Sequence, residues 1–497
     1  MTASRSAATP RIAVVGAGFG GLCAAIRLRQ AGITTFTVFE KAAEVGGVWR
    51  DNTYPGAACD VPSHLYEFSF APNPRWSRRF AGQREIHAYQ RDCVERFGLR
   101  EHLRLDTEIA AADFADGVWT LTTTDGAVHR AEVLITATGQ LSRPAIPPLP
   151  GRESFAGPQF HSAAWRHDAE LAGKRIAVLG TGASAVQFVP EIARTAASVT
   201  VFQLDPPHVL PKPDYRYPKA VTRLLTRVPA LQRLSRWATY WTLESRALGL
   251  TRFPALAAPY ALRVRRHLGR RVGDPGLRAR ITPTSPLGCA RVLLSDDWYP
   301  ALDRPNVRVV DDRVTEVTPT GLVTEDGTTR PFDVLIYGTG FHAGGFLAPM
   351  RITGRDGRDL HETWRHGAEA YLGLTVHGFP NLFMLYGPNT NLGHSSIIFM
   401  LESQMAYVMQ AVAVLGRGRT RWLEVRADVQ DAFNDEVRRR IRATVWDRGC
   451  MSWYKNAAGR NTNNWPGFTF AYRRRTRRLD LADFHREPAG SGPAPEP

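Results

Sequence analysis

The sequence predicts an α/β protein with two parallel-sheet domains, the second inserted into the first, and a helical excursion within the insertion. Two glycine-rich strand–turn–helix–strand units, at 11–41 and 174–205, predict the two sheets. Two further apolar strands, at 133–140 and 333–341, lie before and after the second unit and indicate that it is inserted. From about 211 to 280 the apolar residues change to helical spacing, which predicts the excursion.

The first unit has the sequence of a nucleotide-binding turn. A short apolar strand runs into Gly16, Gly18 and Gly21, which have the GxGxxG spacing. The first glycine makes the tight turn, the second lets a pyrophosphate approach the backbone, and the third packs the helix on the sheet. Glu40 ends the next strand, where an acid can hold a ribose hydroxyl. These residues predict a Rossmann-like dinucleotide site, with a bare glycine turn as the alternative.

The second unit repeats this pattern 164 residues later. Gly180 and Gly182 form the turn, Ala185 takes the place of the third glycine, Ser184 begins the helix, and Asp205 follows the next strand. A chain with two such units binds two nucleotides, which favours redox chemistry with two cofactors.

The two further strands both end in a Thr-Gly step. We expect them to return to the first sheet and to bring Gly139 and Gly340 close to a cofactor, with a simple strand-to-loop turn as the alternative. Domain boundaries are expected in the proline-rich segment 141–151 and near Arg330. The predicted parts are 1–145, 146–330 with the helical segment 211–280, 331–485, and a disordered tail over 486–497.

Composition excludes several classes of protein. The 497 residues are 43% hydrophobic, which suits two or three packed domains and excludes a disordered or fibrous chain. The sequence contains no run of about 18 apolar residues, so it predicts no membrane span. The first residues also lack the apolar core of a secretory signal, so we expect a cytoplasmic protein. The closest two of the five cysteines are 34 residues apart. We therefore expect thiols, and the spacing excludes a flavin disulfide reductase.

The net charge of +16 raises the question of nucleic-acid binding. Only five of the 63 basic residues are lysines, and the arginines are spread along the whole chain. The densest runs, at 263–271 and 473–478, are more typical of solvated surface than of a groove reader. We expect no nucleic-acid partner and no metal site, and a basic binding module is the most distant alternative.

Four stretches resemble the Baeyer–Villiger monooxygenases, class B flavoprotein monooxygenases of the flavin-containing monooxygenase superfamily. The stretch 46–70 is similar to the FAD-side motif of that family and contains Gly47, Trp49, Asp60 and Tyr66. The stretch 155–168 resembles the family fingerprint at Phe155, Gly157, His161 and Trp165. The stretch 285–307 is similar to the segment with the catalytic arginine, here Arg291, and 381–404, with Asn391, also resembles the family.

The resemblance implies an enzyme that uses FAD, NAD(P)H and O2. Through a flavin C4a-peroxide it would insert one oxygen atom next to a ketone carbonyl, giving an ester or a lactone. Segments 1–145 and 331–485 would form the FAD-binding domain, and 146–330 the NAD(P)H-binding domain. The expected partners are dioxygen and a small-molecule substrate, a hydrophobic ketone. The sequence predicts neither the individual substrate nor the oligomeric state.

The resemblance also assigns roles to single residues. A guanidinium is charged at every working pH, so Arg291 is suited to stabilise the anion formed during oxygen transfer. Asp60 would hold that arginine, because a buried cation needs an acidic partner. A surface arginine and a turn-capping acid are the alternatives. For His161, a structural link between the domains is as good an explanation as a role in chemistry. For Trp49, packing beside the flavin is as good an explanation as contact with the substrate.

Three departures from the family pattern concern the second cofactor and the domain link. Leu204 and Asp205 stand where the family has an arginine and a Thr or Ser that grip the 2′-phosphate of NADPH. Ala290 replaces the lysine before the catalytic arginine, and Arg166 ends the fingerprint in place of Pro or Asp. We expect FAD and NADPH as cofactors, with NADH used at least as well as NADPH.

Two other flavoenzyme classes remain open at this point. An N- or S-oxygenating flavin monooxygenase uses the protonated hydroperoxide and does not need Arg291. An oxidase or desaturase would transfer no oxygen to its product.

Overall fold

The computed structural model describes residues 9–447, 453–456 and 458–489. Its strands, in chain order, are β1 Ile12–Val15, β2 Phe36–Phe39, β3 Leu103–Arg104, β4 Ile109–Ala115, β5 Val118–Thr123, β6 Val128–Ala131, β7 Val133–Thr136, β8 Gln159–His161, β9 Arg175–Leu179, β10 Ser198–Phe202, β11 Val209–Leu210, β12 Leu293–Leu294, β13 Val307–Val310, β14 Val314–Thr318, β15 Gly321–Thr324, β16 Thr329–Pro331, β17 Val334–Tyr337, β18 Arg351–Thr353, β19 Leu382–Met384, β20 Thr420–Val425 and β21 Phe484–Pro488.

The helices are α1 Phe19–Gln30, α2 Val48–Asp51, α3 Gln83–Arg96, α4 Ala183–Ile192, α5 Lys219–Arg227, α6 Pro229–Glu244, α7 Ala247–Thr251, α8 Ala258–Arg271, α9 Pro275–Arg280, α10 Trp298–Leu302, α11 Leu360–Thr363, α12 Ile397–Leu415, α13 Ala427–Arg442 and α14 Thr469–Arg475. Helices α5 to α9 fall within the segment 211–280, where the sequence has helical spacing.

The first parallel sheet has the strand order β19-β7-β1-β2-β3. Ile12 and Val14 of β1 pack towards α1 and α12 in one core cluster. Ala13 and Val15 pack towards β4 and β5 in another. Both faces of the sheet are therefore covered, which explains why β1 is apolar at every position.

The second parallel sheet has the order β13-β10-β9-β17-β8 and the same layering. Ile176 and Val178 of β9 pack towards α4. Ala177 and Leu179 pack on the opposite face, against the small sheet of β14, β15 and β16. The α/β fold with two parallel sheets is thus confirmed.

One of the two returning strands lies where the sequence predicts it, and the other does not. Strand β7 pairs with β1 in the first sheet, as expected. Strand β17 pairs with β9 and β8, so the prediction that 333–341 joins the first sheet is wrong. The second sheet needs its own strand beside β9, and β17 supplies it. The chain leaves this sheet after Tyr337 and enters the first domain again at β18, which moves the boundary past Arg330.

The C-terminal segment also differs from its prediction. Residues 486–488 are part of β21, which pairs antiparallel with β20, so the start of the predicted disordered tail is ordered. Backbone pairing with an existing edge strand fixes these residues although their own sequence is polar. The rest of the predicted tail, 490–497, and the first eight residues lie outside the described part of the chain.

Helix α12 is long and apolar enough to cross a membrane, by length and composition alone. The sequence does not predict this, because polar residues interrupt its apolar run. Of its most apolar window, 61% is buried inside the protein. It packs against α1 and α14, as a core helix does.

The cysteines follow their prediction only in part. Cys23, Cys59 and Cys93 are free and buried. Cys289 is disulfide-bonded, so the expectation of five thiols is wrong at that position.

Candidate active site

A cleft of about 1620 Å³ lies between the two parallel sheets, at the carboxyl ends of their strands. Ligands of open α/β sheets bind at this edge. The cleft is lined by the predicted catalytic residues Asp60 and Arg291 and by the predicted cofactor residues Gly16, Gly18, Glu40, Gly47, Trp49, Tyr66, Gly139, Gly180, Gly182, Ser184, Asp205, Gly340 and Asn391. The sequence-predicted residues of both nucleotide units therefore meet in one continuous space.

The first glycine-rich turn leaves no room for side chains. Gly16 has a φ of +103°, and a Cβ there would lie 2.6 Å from the carbonyl oxygen of Ala137. A Cβ on Gly47 would lie 3.1 Å from the Cα of Gly18. Gly21 does not line the cleft; a Cβ there would lie 1.7 Å from the Gly16 carbonyl oxygen. Gly21 therefore packs the helix against the turn.

Glu40 follows β2 and is held by three donors. Its Oε2 accepts the Ala17 backbone N–H at 2.8 Å, and its Oε1 accepts the Ala42 backbone N–H at 3.1 Å. The Arg50 guanidinium donates to Oε1 at 2.9 Å. Only 5% of Glu40 is exposed. The acid is fixed at the cleft wall, where a ribose hydroxyl of the first nucleotide can reach it.

Trp49 and Tyr66 form a second wall beside this turn. Trp49 Nε1 donates to the Tyr66 hydroxyl at 3.0 Å, and their rings meet edge to face with centroids 5.7 Å apart. Burial raises the pKa of Tyr66 well above its ordinary value, so its hydroxyl stays neutral.

The second glycine-rich turn repeats the geometry of the first. Gly180 has a φ of +102°, and a Cβ there would lie 2.6 Å from the carbonyl oxygen of Gly338, just after β17. Thr181 Oγ1 donates to the backbone carbonyl of Asp205 at 3.1 Å. Among the described residues, no hydrogen bond holds the carboxylate of Asp205, which is exposed, and the neighbouring Leu204 is 77% exposed. The acid of this unit therefore faces solvent at the cleft edge.

Arg291 and Asp60, 231 residues apart in sequence, form a bidentate ion pair. Nε and Nη2 of Arg291 each donate to one oxygen of Asp60 at 2.7 Å. The third nitrogen, Nη1, has a long contact of 3.5 Å to the Leu392 carbonyl. Asp60 lies in the loop between α2 and α3, and Arg291 lies just before β12, so the pair joins the two domains.

The charges of this pair are fixed by each other. Burial raises the pKa of Asp60, but the charge and hydrogen bonds of Arg291 and the nearby Lys212 bring that pKa below its ordinary value. The attraction of Asp60, acting against burial, raises the pKa of Arg291. Both groups are therefore ionised at any working pH, and Arg291 presents a permanent cation to the cleft.

Polar side chains lie near this cation. Tyr386 Oη donates to Asn391 Oδ1 at 2.7 Å, and Asn391 Nδ2 donates to Asn464 Oδ1 at 2.8 Å. Burial raises the pKa of Tyr454 to about 12, although the charge of Arg291 acts in the opposite direction. The hydroxyl of Ser395 is buried on the cleft wall and has no hydrogen-bond partner among the described residues.

The fingerprint residues do not line the cleft. Phe155 and Trp165 are core residues, and a Cβ on Gly157 would lie 2.2 Å from the Asp333 carbonyl oxygen. His161 Nδ1 accepts the Ala163 N–H at 3.1 Å, and its ring packs on Phe341 with centroids 5.5 Å apart. This placement favours a structural role for His161 over a chemical one. Arg166, at the end of the fingerprint, forms a surface ion pair with Asp168.

Sequence reasoning missed several residues that shape the site. Arg50 stands beside Trp49 in the stretch 46–70, but nothing in the sequence shows that it pairs with Glu40. Lys212, whose charge helps to lower the pKa of Asp60, comes from the segment 211–280. Gln187 of α4 accepts a hydrogen bond from the Tyr54 hydroxyl at 3.0 Å and donates one to the Ala58 carbonyl at 2.9 Å. These two bonds tie the second domain to the loop that carries Asp60.

Comparison with known proteins supports this geometry. The family model described as pyridine nucleotide-disulphide oxidoreductase matches residues 13–226. A Baeyer-Villiger monooxygenase of Pseudomonas aeruginosa is 46% identical, over 96% of this chain and 91% of the relative. A Baeyer-Villiger monooxygenase of Streptomyces coelicolor is 47% identical, over 95% of this chain and 92% of the relative.

Solved structures agree with these relatives. An oxidised steroid monooxygenase bound to NADP has a TM-score of 0.86 and 31% identity, and the match covers 96% of this chain and 99% of that one. A cyclohexanone monooxygenase from Rhodococcus sp. Phi1 bound to NADP⁺ has a TM-score of 0.86 and 28% identity, with the same coverage.

Proposed function

The chain belongs to the Baeyer–Villiger monooxygenases, and on that premise we propose that it oxidises a hydrophobic ketone to an ester or lactone with Arg291 as its catalytic cation. It is a flavoprotein monooxygenase that uses FAD, NADPH and O2. We place it in the cytoplasm. The Arg291–Asp60 ion pair in the cleft is the observation that carries the catalytic assignment.

The residues of the cleft fit both cofactors. FAD would be held by the first glycine-rich turn, Glu40, Gly47 and the wall of Trp49 and Tyr66. NADPH would be held by the second turn, at Gly180, Gly182 and Ser184. A Cβ at either first glycine would clash with the carbonyl oxygen of the residue after the neighbouring strand, so the tight turn that presents the backbone to a pyrophosphate needs glycine there. When bound, these cofactors and O2 supply the reducing equivalents and the transferred oxygen atom.

Arg291 is suited to the charge that develops during oxygen insertion. Attack on a ketone carbonyl places negative charge on oxygen, and a fixed donor in a cleft stabilises it without reorganisation. Asp60 holds two of the three guanidinium nitrogens, and within the described part of the chain Nη1 has only the long contact with Leu392. We assign Nη1 as the donor to the oxyanion and Asp60 as the residue that positions it.

The walls around Arg291 support the proposed substrate class. Leu293, Leu392, Trp453 and Tyr386 line the cleft together with Arg291. Apolar walls with few polar groups favour a hydrophobic ligand oriented at one polar atom. The similar solved enzymes include monooxygenases named for a steroid and for cyclohexanone, which supports a hydrophobic ketone for this chain.

The Arg291→Ala variant tests this assignment. We expect ketone oxidation to fall at least about 100-fold, since an oxyanion donor is lost, while the protein stays yellow and still oxidises NADPH. Product by mass spectrometry and NADPH consumption are measured in parallel, with Arg166→Ala as the matched control because that arginine pairs with an acid on the surface. Full ester formation by Arg291→Ala would overturn the catalytic assignment of Arg291, whereas a wild type that forms no ester but oxidises a sulfide would favour N- or S-oxygenation.

The pH profile of the wild type gives a second check. Because the pKa of Asp60 is lowered in the folded protein, its ion pair is present above that pKa and is lost only as pH falls through it. We expect no loss of ester formation from this pair down to about pH 4, the ordinary range of an aspartate. An acidic limb between pH 5 and 7 that disappears in Asp60→Asn would contradict this.

A further inference from the structure

Helix α6 contacts the rest of the protein through polar side chains. Gln232 Nε2 donates to Glu67 Oε1 and to the Asn73 carbonyl, both at 2.9 Å. Arg236 Nη1 donates to three backbone carbonyls of the segment 64–67, at 2.9 to 3.3 Å. Near the helix end, Glu244 is buried against Thr469. The inner face of α6 is therefore held mainly by hydrogen bonds.

The outer face of the same helix is apolar. Leu231, Leu234, Trp237 and Trp241 are 38%, 59%, 61% and 45% exposed. Their spacing of three, three and four residues places them on one stripe of the helix. Surface helices normally bury their apolar stripe and expose the polar one, whereas α6 buries Gln232 and Glu244 beside Leu243 and leaves this apolar stripe exposed.

The stripe continues onto neighbouring elements. Trp241 lies 6.0 Å from Phe470, ring centroid to centroid, and Phe470 is 43% exposed. Leu224 of α5, a helix that contacts α6, is 49% exposed. Scattered exposed apolar residues are ordinary, but a contiguous set that includes two tryptophans marks an interaction surface.

The charge around this surface is one-sided. Segment 215–273 contains thirteen arginine or lysine residues and one acid, Glu244. That acid is 1% exposed, whereas Arg223, Arg227 and Arg233 are exposed on and next to α6. The surface therefore presents cations and apolar rings without exposed negative charge.

We propose that the apolar stripe of α6, together with α5, docks on the surface of an anionic lipid bilayer. Tryptophan and leucine suit the boundary between headgroups and acyl chains, and arginine suits the anionic headgroups. A second copy of this chain would bring like charges together. A nucleic acid would meet the basic residues but leave the leucine and tryptophan stripe uncovered. The proposal does not depend on which reaction the enzyme catalyses.

Vesicle flotation of the FAD-loaded enzyme tests the proposal. The probes are vesicles of phosphatidylcholine with 30% phosphatidylglycerol, and vesicles of phosphatidylcholine alone. We expect binding to the anionic vesicles to be at least tenfold stronger than binding to the neutral ones. Most of this binding should be lost when the salt concentration is raised from 50 to 500 mM, because the screening length falls from roughly 10 Å to a few ångström.

Two pairs of variants separate the apolar and the cationic parts. Leu234→Ser with Trp237→Ser should weaken binding at least tenfold, whereas Val128→Ser, which removes a 58% exposed residue of β6, should not change it. Arg223→Gln with Arg227→Gln should weaken binding to anionic vesicles. Arg417→Gln with Arg419→Gln, beyond the far end of α12, removes the same charge elsewhere and should weaken it less.

Flavin absorbance and turnover of a soluble ketone without vesicles show that each variant is folded. Failure of the wild type to float with either vesicle would overturn the proposal, as would equal floating of the wild type and the Leu234/Trp237 variant. Self-association that only the Leu234/Trp237 variant abolishes would also overturn it and would assign the surface to a second copy.

Discussion

The two nucleotide units have nearly the same backbone but differ in their acids. Gly16 and Gly180 have φ values of +103° and +102°, and each approaches the carbonyl oxygen of a residue after the neighbouring strand at the same Cβ distance. Glu40 is buried and held by three donors, whereas Asp205 is exposed and its carboxylate has no hydrogen bond among the described residues.

The difference separates two parts of nucleotide recognition. Steric need sets the glycine turn, so both units have it in the same form. Preorganised hydrogen bonds set the ribose contact, and only the first unit has them. We therefore propose that the first site keeps its cofactor, whereas the second, which is open at the ribose, accepts and releases one.

The largest effects are expected from adding a methyl group at the first glycine of each unit. Gly16→Ala should give a colourless protein with FAD binding weakened at least about 100-fold, since the strained φ and the Ala137 carbonyl both oppose a Cβ. Gly180→Ala should stay yellow but show slow flavin reduction by NADPH. Absorbance at purification and stopped-flow reduction measure the two outcomes.

Gly32→Ala is the matched control for this pair. Gly32 has a φ of +75°, but a Cβ there meets nothing within 4 Å, so the variant carries the backbone strain without the clash. It should retain FAD and activity. Loss of flavin in Gly180→Ala, or retention in Gly16→Ala, would show that the two turns do not serve separate cofactors.

An intermediate effect is expected for Glu40→Gln. The change keeps the shape but removes the charge that pairs with Arg50, so FAD should bind about tenfold more weakly, about 1.4 kcal/mol. Fluorescence titration of the apoprotein with FAD measures it. Asp205→Asn is the control and should leave FAD affinity unchanged; equal losses in both variants would remove the contrast between the two acids.

The last effect, of about the same size, concerns the choice of nicotinamide. With Leu204 and Asp205 at the end of β10, we expect the wild type to use NADH at least as well as NADPH. Leu204→Arg with Asp205→Thr should raise the ratio of kcat/KM for NADPH over NADH about tenfold by supplying a cation for the 2′-phosphate. A wild-type preference for NADPH above tenfold would contradict the expectation.

The parts of this molecule that the sequence predicts well are those set by local chemistry. The glycine turns, Glu40 and the residues of the Arg291–Asp60 pair follow from short motifs and from the family resemblance. The sheet to which 333–341 belongs depends on pairing with residues more than 150 positions away, and it was predicted wrongly. The β21 strand, Lys212 beside Asp60 and the disulfide at Cys289 likewise depend on distant neighbours, for which a local pattern gives no signal.

The bridge made by Gln187 has a mechanical consequence. It fastens the loop from Tyr54 to Ala58 onto α4, and Asp60 lies two residues beyond that loop. Asp60 belongs by sequence to one domain, yet it is tethered to the other, which also carries Arg291. If the domains rotate against each other as nicotinamide enters and leaves, the tether would let Asp60 move together with Arg291. The ion pair, and with it the orientation of the guanidinium, would then be kept during the rotation.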